Sequence, residues 1–187
     1  TIARISSAPA GERFLFTQSP GPGRWSVLQI LEHLNSYNNY YLPAMATALQ
    51  KGRRNQVGLN RVFRPGLLGA YFTRMMQPPA NGQIVKKYKA PADHTPAASL
   101  DETLTINKFI EGQNRLVDLI QQSAQTDMNK LKIPISISKW IKLKLGDTLG
   151  FLIAHQERHF IQLEEIVRQI KAQSVQAINT DSLSVKL

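Results

Sequence analysis

The chain has 187 residues, of which 42% are hydrophobic and 19% are charged, and it contains no cysteine. Its length predicts one domain with its own core, and the missing cysteines exclude a disulfide framework, a thiolate zinc site and a cysteine nucleophile. No apolar run approaches the roughly 18 residues of a membrane span, and the first residues carry no secretion signal. We therefore expect a soluble, cytoplasmic protein with no membrane partner.

Positive charge is in excess, and it is concentrated in two segments. Lysine and arginine number 23 against 13 acidic residues, a formal net charge of +10. Residues 33–92 hold nine of these cations and residues 128–146 hold five, and neither segment contains an acid. The rest of the chain is weakly acidic. We interpret the two segments as basic connections that form an electropositive rim on the framework, and a nucleic-acid-binding domain is the less favoured alternative.

Helical periodicity dominates the chain and predicts four helices. The first must come from residues 1–17, where a proline and a glycine interrupt the apolar pattern. We therefore expect that this helix is either short or lacks its start. The second begins after the predicted N-cap Ser26 and continues to about residue 49. Pro43 lies inside this helix, so we expect a kink or break just before it.

Residues 51–98 form a long connection with a short helix from about Pro65 to Met76. A link of this length is longer than antiparallel neighbours need, so it predicts a crossover along the bundle or a flap over one end.

The second half of the chain predicts two more long helices. The capping-box-like start at Ser99 opens a helix to about residue 124, and a basic connector follows without a convincing strand pattern. The last helix begins at the predicted N-cap Asp147, ends near residue 172 and leaves 173–187 as a loosely ordered tail. The fold class is therefore all-α, a four-helix bundle in one domain over residues 1–187.

Two of the four histidines, His155 and His159, lie one helical turn apart. This spacing places both imidazoles on one helix face about 6 Å apart, where both can bind one ion. His33, on another helix, is the candidate third ligand. If the two helices run parallel, His33 and His155 lie at matching positions along them. If the helices run antiparallel, one must be offset along its axis to bring the histidines level. Three imidazoles suit Zn²⁺, Ni²⁺ or Fe²⁺ and leave positions open for water or substrate. The alternative is a chance spacing of ordinary histidines.

Other polar residues lie near these three in the helical pattern. Gln29 and Tyr37 lie one turn before and after the first histidine, and Gln162 lies just beyond the last. They are candidates to line a pocket or to bond the ligand imidazoles, although polar residues commonly border a core. His94 falls in a predicted loop and is interpreted as a solvated or hydrogen-bonded histidine.

Three blocks of the sequence resemble the DinB/YfiT-like superfamily. They are GRWSVLQILEHL at 23–34, KYKAPADHTP at 87–96 and TLGFLIAHQERHFIQ at 148–162. The resemblance implies a four-helix bundle with a long second connection and a divalent metal, often zinc or nickel, on His33, His155 and His159. Many members of this superfamily form dimers, and characterised members include S-transferases and isomerases that use bacillithiol or mycothiol. The resemblance implies a similar assembly and activity for this chain.

The leading functional hypothesis is a metal-dependent enzyme of the thiol S-transferase or hydrolase type that acts on a small, anionic molecule. Because the chain has no cysteine, a low-molecular-weight thiol would enter as co-substrate, and the metal would hold it deprotonated. A homodimer fits this hypothesis. Two alternatives remain: a metal-bound but catalytically idle domain that docks through its connections, and a nucleic-acid-binding protein. The second is disfavoured because cations and aromatic residues do not interleave as on a stacking platform.

Overall fold

The computed structural model describes residues 5, 10–84 and 88–184. Within 10–84 and 88–184 the chain forms five α-helices and one β-hairpin. The elements are α1 (Ala10–Thr17), α2 (Val27–Arg54), α3 (Leu67–Met76), a 3₁₀ turn (Ala92–His94), α4 (Glu102–Ser123), β1 (Lys132–Ile135), β2 (Ser138–Lys144) and α5 (Leu145–Ser184). The mostly helical class is confirmed, whereas the closure of a four-helix bundle and the single-domain division stay predictions.

Helix α2 begins where the sequence predicts. The Ser26 hydroxyl accepts from the Gln29 N–H, and the Gln29 side chain accepts from the Ser26 N–H, which completes a capping box. The helix does not break at Pro43 but continues to Arg54. Buried residues before and after the proline, among them Met45, hold both halves against the core, so packing offsets the lost backbone hydrogen bond.

The starts of the last two long helices differ from the prediction. Asp101, not Ser99, caps α4, because its carboxylate accepts from the Leu104 N–H at 2.7 Å. Strand β2 leads directly into α5 at Leu145, so Asp147 lies inside the first turn and is not an N-cap. Its carboxylate instead accepts from the backbone N–H of Gly66 at 3.1 and 3.2 Å, which attaches the crossover to α5.

Helix α5 continues beyond its predicted end near residue 172, as far as Ser184. Residues 173–184 are therefore helical, and 185–187 lie outside the described part of the chain. None of the described helices has both the length and the hydropathy needed to cross a membrane.

Helices α2 and α4 run parallel. Near the start of both, the Asn35 side chain donates to the Thr105 carbonyl at 3.1 Å, and near their ends Arg53 donates to Gln122 at 3.1 Å. The chain leaves α2 at one end of the bundle and enters α4 at the other. The connection between them is therefore a crossover along the bundle, one of the two arrangements that its length predicts.

Helices α2 and α5 run antiparallel. Arg24, just before α2, donates to Gln169 late in α5 at 2.7 Å, whereas the ring of Tyr41 lies 6.0 Å from that of Phe151 early in α5. Of the two arrangements left open by the sequence, the structure shows the antiparallel one. In this arrangement His33, in the second turn of α2, lies level with His155 and His159 of α5.

The predicted connector after α4 is a β-hairpin, which corrects the expectation that the chain contains no strand. Ile133 of β1 pairs with Leu143 of β2, and both side chains are buried against the bundle. The tip is attached to α2, because the Tyr40 hydroxyl donates to the Ile135 carbonyl at 3.0 Å. Lysines alternate with these apolar residues and gave the segment the composition of a loop.

The close approach of α3 to α5 depends on glycine. A Cβ at Gly69 would overlap the side chain of Asp147, whereas a Cβ at Gly58 meets nothing within 4 Å. We expect Gly69→Ala to lower the free energy of unfolding by about 1–3 kcal/mol, the usual cost of overpacking. Urea denaturation measures this, with Gly58→Ala as the matched control. Equal stability of the two variants would show that α3 does not need this contact.

Candidate metal centre

The three histidines predicted from spacing lie together in the bundle. His33 on α2 faces His155 and His159 on α5, and the three residues are 3%, 3% and 8% exposed. Their Nε2 atoms converge: the distance is 3.3 Å between His33 and His155 and 3.0 Å between His155 and His159. Side-chain nitrogens of all three lie within 4.8 Å of one another, so the cluster could hold a metal ion.

The spacing of the nitrogens fits a common ion. Two ligand nitrogens that each lie about 2.0–2.1 Å from one ion are about 2.8–3.4 Å apart when the angle between them at the ion is between about 90° and 110°, and the two Nε2 separations, 3.3 and 3.0 Å, agree with this. No carboxylate joins the group among the described residues. Three imidazoles and no anionic ligand form a donor set typical of zinc, nickel or iron with open positions.

Burial keeps all three imidazoles in the neutral form that binds metals. It lowers the pKa of His33 to about 4 and that of His159 to about 3, from an ordinary value of 6.5. The pKa of His155 is lowered well below 6.5, first by burial and then by the neighbouring His159 and His33. At neutral pH no proton competes for the converging nitrogens.

His33 is held in one tautomer by the crossover. Its Nδ1 lies 2.6 Å from the backbone carbonyl of His94. Because a carbonyl only accepts, Nδ1 carries the proton and Nε2 presents its lone pair to the cluster.

The same turn is bonded back to α2. Nδ1 of His94 lies 2.9 Å from the hydroxyl of Ser36, which donates to the backbone carbonyl of His33 at 2.7 Å. The contact of His33 Nδ1 with the His94 carbonyl and the contact of His94 Nδ1 with Ser36 together orient His33. The Nδ1 atoms of His155 and His159, in contrast, have no hydrogen-bond partner among the described residues.

Aromatic rings surround the cluster. The ring of Tyr37 lies 4.0 Å from that of His94 and 4.3 Å from that of His155, while Phe151 stacks on His155 at 5.6 Å. Burial and the neighbouring Tyr41 raise the pKa of Tyr37 to about 12, so its hydroxyl stays protonated. The rings exclude water and strengthen electrostatic interactions inside the site.

The remaining sequence candidates take different positions. Gln29 caps α2 and donates to the Ala97 carbonyl at 3.1 Å, so it attaches the crossover and does not bond an imidazole. Gln162 raises the pKa of His159, although no hydrogen bond of ordinary geometry reaches Nδ1 of that histidine. Tyr37 packs against the imidazoles. His94 is 5% exposed, so it is the hydrogen-bonded histidine of the two forms expected and not the solvated one.

Sequence reasoning missed two residues near the cluster. Ser36 lies one turn after His33, and helical spacing could have indicated it. Arg158 is 7% exposed and lies 5.3 Å from the ring of Tyr88, and its charge lowers the pKa of both His155 and His159. It was overlooked because an arginine beside the HxxxH pair is typical of a solvated helix face.

These features define the class: a helical protein with a buried cluster of three neutral histidines that could hold a metal ion. A model of the DinB superfamily matches residues 8–163. The chain belongs to that superfamily, as the resemblance of its three blocks implies. A search of curated proteins and a search of solved structures each found no match.

The lowered pKa values predict that acid destabilises the metal-free protein. Below the ordinary histidine pKa of 6.5 the unfolded chain takes up protons, whereas folded His33 does so only near pH 4 and folded His159 only near pH 3. The free energy of unfolding should fall between about pH 7 and pH 5, by up to about 2 kcal/mol for each imidazole. Urea denaturation of chelator-treated protein at several pH values measures this slope.

The matched control for this prediction is His159→Gln, which has one fewer buried imidazole and should show a shallower dependence on pH. A flat profile for the unsubstituted protein would contradict the burial of neutral imidazoles.

Proposed function

We propose that the chain is a cytoplasmic, divalent-metal-dependent enzyme of the thiol S-transferase or hydrolase type that acts on a small molecule. Zinc or nickel would be held by His33, His155 and His159. The observation that carries the proposal is the convergence of three buried, neutral Nε2 atoms at 3.0 and 3.3 Å, one of them fixed in its tautomer by the crossover. A structural zinc site would use all four positions, whereas three ligands leave one open for chemistry.

The bound metal would supply Lewis acidity, which lowers the pKa of a bound water or thiol and polarises a substrate. The chain's own residues do the rest. The His94 carbonyl keeps the proton of His33 on Nδ1, and Tyr37 and Phe151 exclude water. With no cysteine in the sequence, a thiol nucleophile must come from a co-substrate.

Arg158 supports an anionic substrate or thiol. Its guanidinium is close enough to act on two of the imidazoles, and a buried cation beside a reacting centre favours negative charge there. The basic hairpin does not contribute to this effect. Leu145, which follows it, lies ten residues before His155, about 15 Å along the helix. The hairpin lysines therefore do not form part of an electropositive rim at this site, and for the first basic segment the rim stays a prediction.

Metal content tests the proposal. Purified from cells supplied with zinc or nickel, the protein should carry about one equivalent of metal by elemental analysis, whereas His33→Ala and His159→Ala should each lose most of it. The control is His94→Gln, which removes the fourth imidazole but keeps the backbone carbonyl that bonds His33, and it should retain the metal. Circular dichroism checks that each variant is folded. Protein without stoichiometric metal, or retention by His159→Ala, would contradict the site.

Turnover tests the activity. The metal-loaded protein is assayed with bacillithiol, mycothiol, glutathione or coenzyme A against electrophilic small molecules, and with a series of esters. We expect turnover of at least one combination of thiol and electrophile, or of at least one ester. This activity should be lost in the chelated protein and in His33→Ala. If metal binds and chelation lowers the Tm but no substrate reacts, the domain is the catalytically idle alternative and the enzymatic proposal fails.

The dimer implied by the resemblance stays a prediction.

A further inference from the structure

We propose that the outer surface of the β-hairpin binds single-stranded nucleic acid. This surface, called here the hairpin face, consists of Lys132, Trp140, Lys142 and Lys144. It is separate from the three histidines, and the proposal does not depend on a metal.

The register of the hairpin defines this face. Ile133 and Leu143 pair and are buried against the bundle, at 0% and 3% exposure. Side chains alternate along each strand, so the flanking pairs, Lys132 with Lys144 and Pro134 with Lys142, project on the opposite side. The inner side of the hairpin therefore belongs to the core, and its outer side carries three lysines.

Trp140 lies in a bulge of the strand that carries Lys142 and Lys144. The pairing passes from Ile135–Ser138 directly to Pro134–Lys142, which leaves residues 139–141 of β2 as an unpaired bulge. Trp140, at its centre, is 95% exposed. Bulges re-aim side chains and are frequent at functional sites, and a fully exposed tryptophan has no folding role that would retain it.

Charge on the hairpin face is not neutralised within the described structure. The nearest acidic residues before and after the hairpin in the sequence are Asp127 and Asp147. Both are buried, and they accept hydrogen bonds from Asn129 and Gly66, respectively. Lys132 and Lys144 lie opposite each other across the strands, an arrangement that destabilises a sheet unless an anion is near. The face is therefore complementary to a partner with repeated negative charge.

The row is fixed in place. Along β2, Trp140 precedes Lys142 by two residues and Lys144 by four. The tip is bonded to Tyr40, and Lys144 donates to the Arg64 carbonyl at 2.7 Å, which attaches the other end of the hairpin to the crossover. An extended polyanion can follow this row, with phosphates on the lysines and a base stacked on the tryptophan.

Other partners fit less well. A second copy of the chain would bring two positive faces together, which repel. In duplex DNA the bases are stacked inside, so Trp140 has no ring to contact. An anionic bilayer would engage Trp140 together with the exposed Ile137 and Ile141 near the tip, but not the Lys132–Lys144 pair at the opposite end of the hairpin. The objection raised from the sequence, that cations and aromatic residues do not interleave, does not hold for β2, where Trp140 lies between Lys139 and Lys142.

The test is fluorescence anisotropy with a labelled oligo(dT) of about 20 nucleotides, titrated with the full chain at several salt concentrations. We expect binding at low salt that weakens steeply toward physiological salt, and weaker binding to the matching duplex. Trp140→Ala should reduce the affinity about tenfold, as removal of one stacked base does. Lys142→Gln should reduce the log–log salt slope by about 0.7, the value for one phosphate on a single strand.

The matched control is Lys108→Gln, an exposed lysine on α4 that lies away from the hairpin and should leave both affinity and slope unchanged. No binding at low salt, or equal binding by Trp140→Ala, would overturn the proposal. Binding to vesicles containing anionic lipid, or dimerisation that depends on Trp140, without oligonucleotide binding would assign the face to a different partner and overturn it equally.

Discussion

The hydrogen bond from Nδ1 of His33 to the carbonyl of His94, at 2.6 Å, links the fold to the candidate site. It requires the crossover to pass over the first turns of α2, and the parallel course of α2 and α4 brings it there. A short hairpin between antiparallel helices would leave this side of His33 open to water. The Gln29 side chain holds the same part of the crossover, because it donates to the Ala97 carbonyl three residues after His94.

The three imidazoles lie between two apolar clusters, and their burial opposes stability. One cluster surrounds Leu31 and Phe109, and the other surrounds Met45 and Leu152. Apolar side chains at the three positions would pack without leaving two Nδ1 atoms unpartnered among the described residues. Polar groups kept in a core against this cost are typical of a functional site. A metal ion, which the three converging nitrogens could hold, would offset this cost.

Spacing alone could predict much of this structure. The HxxxH pair must share a helix face, and Ser26 with Gln29 fixes the start of α2. The pairing of two candidate ligands and the first long helix therefore follow from local rules. The direction of α5 relative to α2 depends on long-range packing and could not be deduced. The hairpin was not predicted because its lysines give the segment the composition of a loop, although Ile133 and Leu143 between them are buried. The role of His94 was missed because a backbone carbonyl leaves no trace in the residue type.

X-ray absorption at the edge of the bound metal tests the central claim most directly, because it counts and identifies the ligand atoms. Protein loaded with zinc or nickel should show three imidazole nitrogens at about 2.0–2.1 Å, with light-atom scattering in the open positions, and His33→Gln should show two. A first shell of oxygens without imidazole scattering, or one that is unchanged in His33→Gln, would place the metal elsewhere and contradict the three-histidine site.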